Sequence, residues 1–307
     1  MTTPLILTIL LCLIVGGAID TGNVCVVRAA VNINSGKPAM AVSILFAGAC
    51  ASVVFYLNSI MGFLREPAPW SYPTLVTIAG AILFAVGALV NGACAVGTVG
   101  RLARGDIGSL ATLAGALLVG FVIPRTVIAS QTPDLQAMTG ATWLEIVLAF
   151  TAVLMILSRR ELRARRLVSY AIIGVAGAVV TNWQGNWTWL TLIQEIEIGM
   201  PLQYAAVACI AAVLVGAAVT AVVKGHFHFI RPDIGTMLRE ALGGGLMVAG
   251  ATLIPGGNDA LLVYGIPSGS PHAIIGYAVM FAVLLLVLQA QPALSRLTAG
   301  AGPGATR

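Results

Sequence analysis

Cys25 and Cys94 stand beside asparagines and glycines where long apolar runs stop, in GNVCVVRAA (22–30) and NGACAVGTVGRLARG (91–105). A thiol donates one weak hydrogen bond and is polarisable, while an asparagine amide donates two hydrogen bonds without adding charge. Glycine-rich turns expose backbone N–H groups, and the start of a following helix adds the positive end of its dipole. Asn23, Cys25, Asn91 and Cys94 therefore form a set that would favour an anion. Two more breaks repeat the pattern. TNWQGNWTWLTLIQEIEI (181–198) carries Asn182 and Asn186, and IPGGNDALLVYGIPSGS (254–270) carries Gly256, Gly257, Asn258 and Asp259. Gly256 and Gly257 would let backbone approach a ligand closely. Asn258 would then be a donor, and Asp259 a cap for the helix that follows Gly257.

Other chemistries find little support. No spacing fits a Ser-His-Asp triad or a carboxylate pair, so no catalytic residues are expected. The five cysteines include no CxxC pair, so neither a metal site nor a disulfide framework is indicated, and no cofactor motif appears. His226 and His228 fall in a polar loop. Cys12, Cys50 and Cys209 lie in apolar runs and read as small core side chains.

The elements that must hold these residues follow from composition. Of 307 residues 59% are apolar and 9% charged, and the mean hydropathy is +0.98. A soluble domain carries about 25% charge, so this chain cannot cover a water-facing surface. It reads as an all-α integral membrane protein, a single transmembrane unit over residues 1–307. The net charge of +5 is explained by basic residues flanking membrane helices, and nucleic acid is excluded as a partner. Crossing the hydrocarbon takes about 20 apolar residues. Nine helices are predicted, at 4–19, 39–63, 73–90, 107–128, 141–158, 167–180, 201–223, 235–254 and 270–290. The first has no basic residue before its apolar stretch and is read as a retained helix rather than a cleaved signal.

The four breaks share a lead-in: VGGAID (15–20), VGALVN (86–91), AGAVVT (176–181) and AGATLI (249–254). Anchored on Gly16, Gly87, Gly177 and Gly250, the first and third are offset by 161 residues and the second and fourth by 163. This predicts two halves of one plan, 1–128 and 167–290, joined by a linker helix at 141–158. Setting RRELRARR (159–166) in the cytoplasm puts every Lys and Arg except Arg65 and Arg125 on that side. The N-terminus is then outside, the C-terminus inside, and the halves inverted. Inverted repeats with interrupted helices signal a transporter with its site near the midplane. Non-helical backbone at that depth must be buried or line a wet cavity, so the four breaks are expected to be re-entrant.

Three blocks carry a family resemblance. AVGALVNGACAVGTVGRLARGDIGSLATLAGALLVGF (85–121), GGGLMVAGATLIPGGNDALLVYGIPSGSPHAIIGYAVM (243–280) and GNVCVVRAA (22–30) resemble segments of the YeeE/YedE family. The resemblance implies a permease of the bacterial inner membrane for thiosulfate or a related small sulfur-containing anion. It also implies a small cytoplasmic sulfur-carrier protein as partner. Cys25 and Cys94 match two cysteines that in the family hand substrate along by S–H hydrogen bonds. Where a third belongs, this chain reads PGGND. Two other classes stay open: a membrane sulfurtransferase with a persulfide on Cys94, and a cation channel or carrier using Asp20, Asp106, Glu195, Glu197 and Asp259.

Overall fold

Backbone N–H and C=O groups have no water to bond in hydrocarbon, so apolar runs such as these close their hydrogen bonds internally as helices. The computed structural model describes residues 2–62, 72–122, 164–184, 187–197 and 199–300. Its helices are α1 (Thr2–Gly22), α2 (Val26–Asn34), α3 (Ala39–Ile60), α4 (Leu75–Asn91), α5 (Ala95–Ala103) and α6 (Ser109–Val122). They continue with α7 (Ala164–Gln184), α8 (Trp189–Glu197), α9 (Tyr204–Val223), α10 (Ile234–Leu253) and α11 (Asn258–Ala260). A π-helical turn at Leu261–Gly265 extends α11, and α12 is Pro271–Gly300. Eight of the nine predicted helices lie on these elements; the ninth, 141–158, falls outside the described residues, as does Asn186. Six helical runs among the described residues are long and apolar enough to cross a membrane, or seven counting one bent pair. The protein is a multi-pass, all-α membrane protein.

Each polar break separates a long helix from a short one: α1 from α2, α4 from α5, α7 from α8, and α10 from α11. Only residues 23–25 and 92–94 interrupt the first two. The runs Leu5–Asn34 and Leu75–Ala103 pass through them without a bend above 40°, whereas α10 and the Asn258–Gly265 helix meet at 48°. Local chemistry sets the ends. Thr74 caps α4 by accepting from Thr77 N–H at 3.3 Å, with Thr77 Oγ1 reciprocating toward the Thr74 N–H. Gly92 closes the same helix in the left-handed region, at φ 76°.

The packing runs between the two parts of the chain. α1 lies against α9 and α7, and α3 against α7; α10 lies against α4 and α6, and α12 against α4. Exchange α1–α6 for α7–α12 in order, and these contacts map onto one another. α1 with α9 becomes α7 with α3, and α4 with α12 becomes α10 with α6. Likewise α2 with α12 becomes α8 with α6, and α5 with α9 becomes the π-helical turn with α3. Leu118, Phe121, Val122, Val219 and Leu286 point outward, where only lipid could cover so much apolar surface.

Small residues bring the helices this close. A Cβ on Gly115 would lie 1.9 Å from Ala241 O, and one on Gly244 2.0 Å from Thr112 O, so α6 and α10 touch backbone to backbone. Gly115→Ala should therefore force them apart, at a cost of about 1–3 kcal/mol or more. The apparent melting midpoint in detergent should fall by several degrees. Gly100→Ala, whose Cβ would find its nearest neighbour at 3.9 Å, should leave the midpoint in place.

Candidate functional site

Cys25 is the N-cap residue of α2 and Cys94 that of α5, both in extended backbone, and neither side chain caps its own helix. The two thiols are neighbours between these helix starts. Cys94 Sγ also accepts from the Val26 N–H at 3.4 Å. Both are buried, Cys94 at 1% exposure and Cys25 at 7%. Gly97 makes the approach possible. It sits on the first turn of α5, and a Cβ there would stand 2.8 Å from Cys25 Sγ. Two helix starts, each with a positive dipole end, thus converge on a pair of polarisable S–H groups.

Asn91 sets the turn that presents Cys94. Its Nδ2 donates to Ala93 O at 2.8 Å and to Thr98 Oγ1 at 3.0 Å, and its Oδ1 accepts from Thr112 Oγ1 at 2.6 Å. Both ends of this fully buried amide are engaged. Trp189, at the start of α8, donates from Nε1 to Ala95 O at 3.1 Å, tying the third break to the second.

Outside Cys25 lies a cavity of about 210 Å³. Asn23, Arg28, Val31, Gly92, Arg101 and Arg104 are among its walls. Asn23 adopts φ 52°, the left-handed conformation that asparagine tolerates best among residues with a Cβ. Its Oδ1 accepts from Arg104 Nη1 at 2.9 Å, and Arg104 Nε donates to Asp20 Oδ1 at 2.7 Å. Arg101 Nη2 donates to Asp106 Oδ2 at 2.7 Å and also to Glu240. The loop after α9 closes over this end: His228 N–H bonds Arg104 O at 2.9 Å and Ile230 N–H bonds Gly105 O at 3.0 Å. Asp20 and Asp106, two candidates for a cation path, are thus ion-paired to arginines.

The fourth break sits on the other side of α5, with α11 packed against it. Gly256 has φ 142°, open to glycine alone, and Gly257 is the N-cap of α11. A Cβ on Gly257 would meet Leu190 Cδ2 at 2.2 Å. Because the cap position belongs to Gly257, Asp259 is not the cap its sequence position suggested; it lies within the first turn, where the dipole favours an acid. It borders a second, apolar cavity of about 60 Å³ with Thr98, Trp187, Thr188 and Trp189. Asn258 is 3% exposed, and its Oδ1 has no hydrogen-bond partner among the described residues. Neither cavity includes Asn258, Gly256 or Gly257 in its walls. Cys12 and Cys209 neighbour each other in a separate core cluster.

A family model described as sulphur transport matches residues 21–193 and 135–286. The chain belongs to the YeeE/YedE sulfur transport family. No curated protein matches it. Cys25, Cys94 and the PGGND break all fall inside the YeeE/YedE match, which spans the whole bundle from the end of α1 to the middle of α12. Sequence reasoning missed the arginine braces. The only available signal was the rule that an acid within an apolar segment needs a partner, and that rule does not say which basic residue supplies it.

Proposed function

We propose that this YeeE/YedE protein is an inner-membrane permease for thiosulfate or a related small sulfur-containing anion, with the constriction at Cys25 and Cys94. The single observation that carries this reading is the meeting of the two thiols at two helix starts. Thiosulfate has oxygen ends that take N–H donors and a sulfur end that suits a polarisable S–H contact. Buried thiols provide that contact without a fixed negative charge in the anion's way. Asn91 holds the Cys94 turn, Asn23 and its arginine shape the approach, and Gly256, Gly257 and Asn258 bring the fourth break to α5 from the other half.

The architecture proposed with it has nine spanning helices in two inverted halves, 1–128 and 167–290. The short helices α2, α5, α8 and α11 act as half-helices turned toward the centre. The exchange symmetry of the packing supports this arrangement. So does the gathering of Arg101, Arg104, His226 and His228 at one end, which the positive-inside rule makes cytoplasmic, with the N-terminus outside and the C-terminus inside. A small sulfur-carrier protein would meet the permease there.

The test is uptake of labelled thiosulfate into proteoliposomes of the purified protein. Accumulation that unlabelled thiosulfate suppresses, and that sulfate and chloride do not, is the expected result. No uptake, together with thiosulfate-dependent persulfide on Cys94, would replace the permease by a sulfurtransferase.

A further inference from the structure

Three arginines reach the cavity in front of Cys25, and they are not equivalent. Arg101 is bonded to Asp106, to Glu240 and, through Nη1, to Asn91 O at 3.0 Å. Arg104 is bonded to Asp20 Oδ1, to Asn23 Oδ1 and, through Nη2, to Asp20 O at 2.9 Å. Two guanidinium groups thus face three carboxylates, and His226 Nδ1 also stands 3.6 Å from Asp20 Oδ2. Arg28 differs from both. It lies on the first turn of α2, three residues after Cys25, is exposed, and its guanidinium makes no ion pair or hydrogen bond among the described residues.

We infer that Arg28 forms a docking subsite for a small oxyanion at this cytoplasmic mouth, one step from the thiols, and that Arg101 and Arg104 serve only as braces. This rests on the reading of the protein as a sulfur-anion permease. A guanidinium presents several N–H donors in a planar fork matched to an oxyanion, and Arg28 has all of them available. Its unpaired charge draws an oxyanion toward this mouth, and removing it removes that attraction. Asn23 Oδ1 cannot substitute, since it is an acceptor and is occupied by Arg104. The Gly92 turn leaves room, because even a Cβ there would find only Arg101 Nη1, at 3.9 Å.

The experiment reads the local potential apart from transport. Val31 lines the same cavity, is 43% exposed, and stands one helical turn after Arg28. In a chain carrying Cys12→Ala, Cys50→Ala and Cys209→Ala, Val31→Cys is labelled with an anionic and a cationic methanethiosulfonate, and the same chain with Val31 intact supplies the background. Adding Arg28→Gln should lower the anionic-to-cationic rate ratio about tenfold at low ionic strength, since the two reagents feel the lost charge with opposite sign across one turn. Arg28→Lys should keep the ratio within about threefold, because it keeps the charge. In proteoliposomes that hold the protein inside-out, so that thiosulfate enters from the cytoplasmic mouth, Arg28→Gln should raise the KM about tenfold and leave the maximal rate nearly unchanged, as expected for loss of a binding contact. An unchanged labelling ratio would overturn the docking subsite, and so would a changed ratio with an unchanged KM. If the wild-type protein takes up no thiosulfate, the permease reading fails, while the labelling ratio still reports whether Arg28 makes this mouth attractive to anions.

Discussion

Cys94→Ala should cut thiosulfate uptake by about ten- to a hundredfold while the protein reaches the membrane in normal amount. Hydrogen bonds to a charged ligand are worth roughly 1.5–3 kcal/mol, and each 1.4 kcal/mol is about a factor of ten. Cys94 combines the N-cap position of α5, 1% exposure and a thiol that meets Cys25. Its structural duty is small, a single contact accepted from the Val26 N–H at 3.4 Å. Cys94→Ser keeps an acceptor for that N–H and a donor for the ligand but loses the polarisable sulfur, so it should fold normally and transport at an intermediate rate. Cys25→Ala should impair uptake less severely than Cys94→Ala. Cys12→Ala, Cys50→Ala and Cys209→Ala should keep most of the activity. Uptake rates normalised to membrane abundance decide the matter, and equal tolerance of all five replacements would remove the thiols from the transport path.

The second large effect is expected at Asn258, where the PGGND break departs from the family pattern. Asn258→Asp should nearly abolish uptake, and Asn258→Cys should retain much of it. The fold leaves the amide oxygen of Asn258 without a partner at 3% exposure, a state that costs about 1–3 kcal/mol for a buried polar group unless something answers it. A half-turn of the amide exchanges oxygen for NH2, so the same group can offer a donor to an oxyanion. An aspartate there puts a negative charge in the path and in a buried place. A cysteine restores the residue type that the family places in this break. Because a buried charge can also unfold the region, Asn258→Leu serves as control: it should fold and lose the donor without adding charge, giving an intermediate rate. If Asn258→Asp transports like the wild type, the fourth break does not face the substrate.

Much of this protein was legible without coordinates, for a physical reason. A bilayer demands apolar runs of about 20 residues that satisfy their own backbone, so helices reveal themselves by composition alone. A break in such a helix must expose N–H and C=O groups, so it too is marked locally, by the glycines and asparagines of 22–25, 91–94 and 254–258. What local marks cannot carry is partner choice. That Cys94 meets the start of α2, 68 residues away, depends on α5 lying against α1 and on Gly97, whose missing side chain leaves room for Cys25. That Asp20 takes Arg104 across 84 residues and Glu240 takes Arg101 across 139 follows from the seating of α5 among α1, α6 and the loop after α9. Asn91 looked as available as Asn23 in the chain, yet packing surrounds it with Ala93, Thr98 and Thr112 and uses both ends of its amide. Arg28, one basic residue among 16, stands apart only because the tertiary structure supplies carboxylates to its two neighbours in the cavity and none to it.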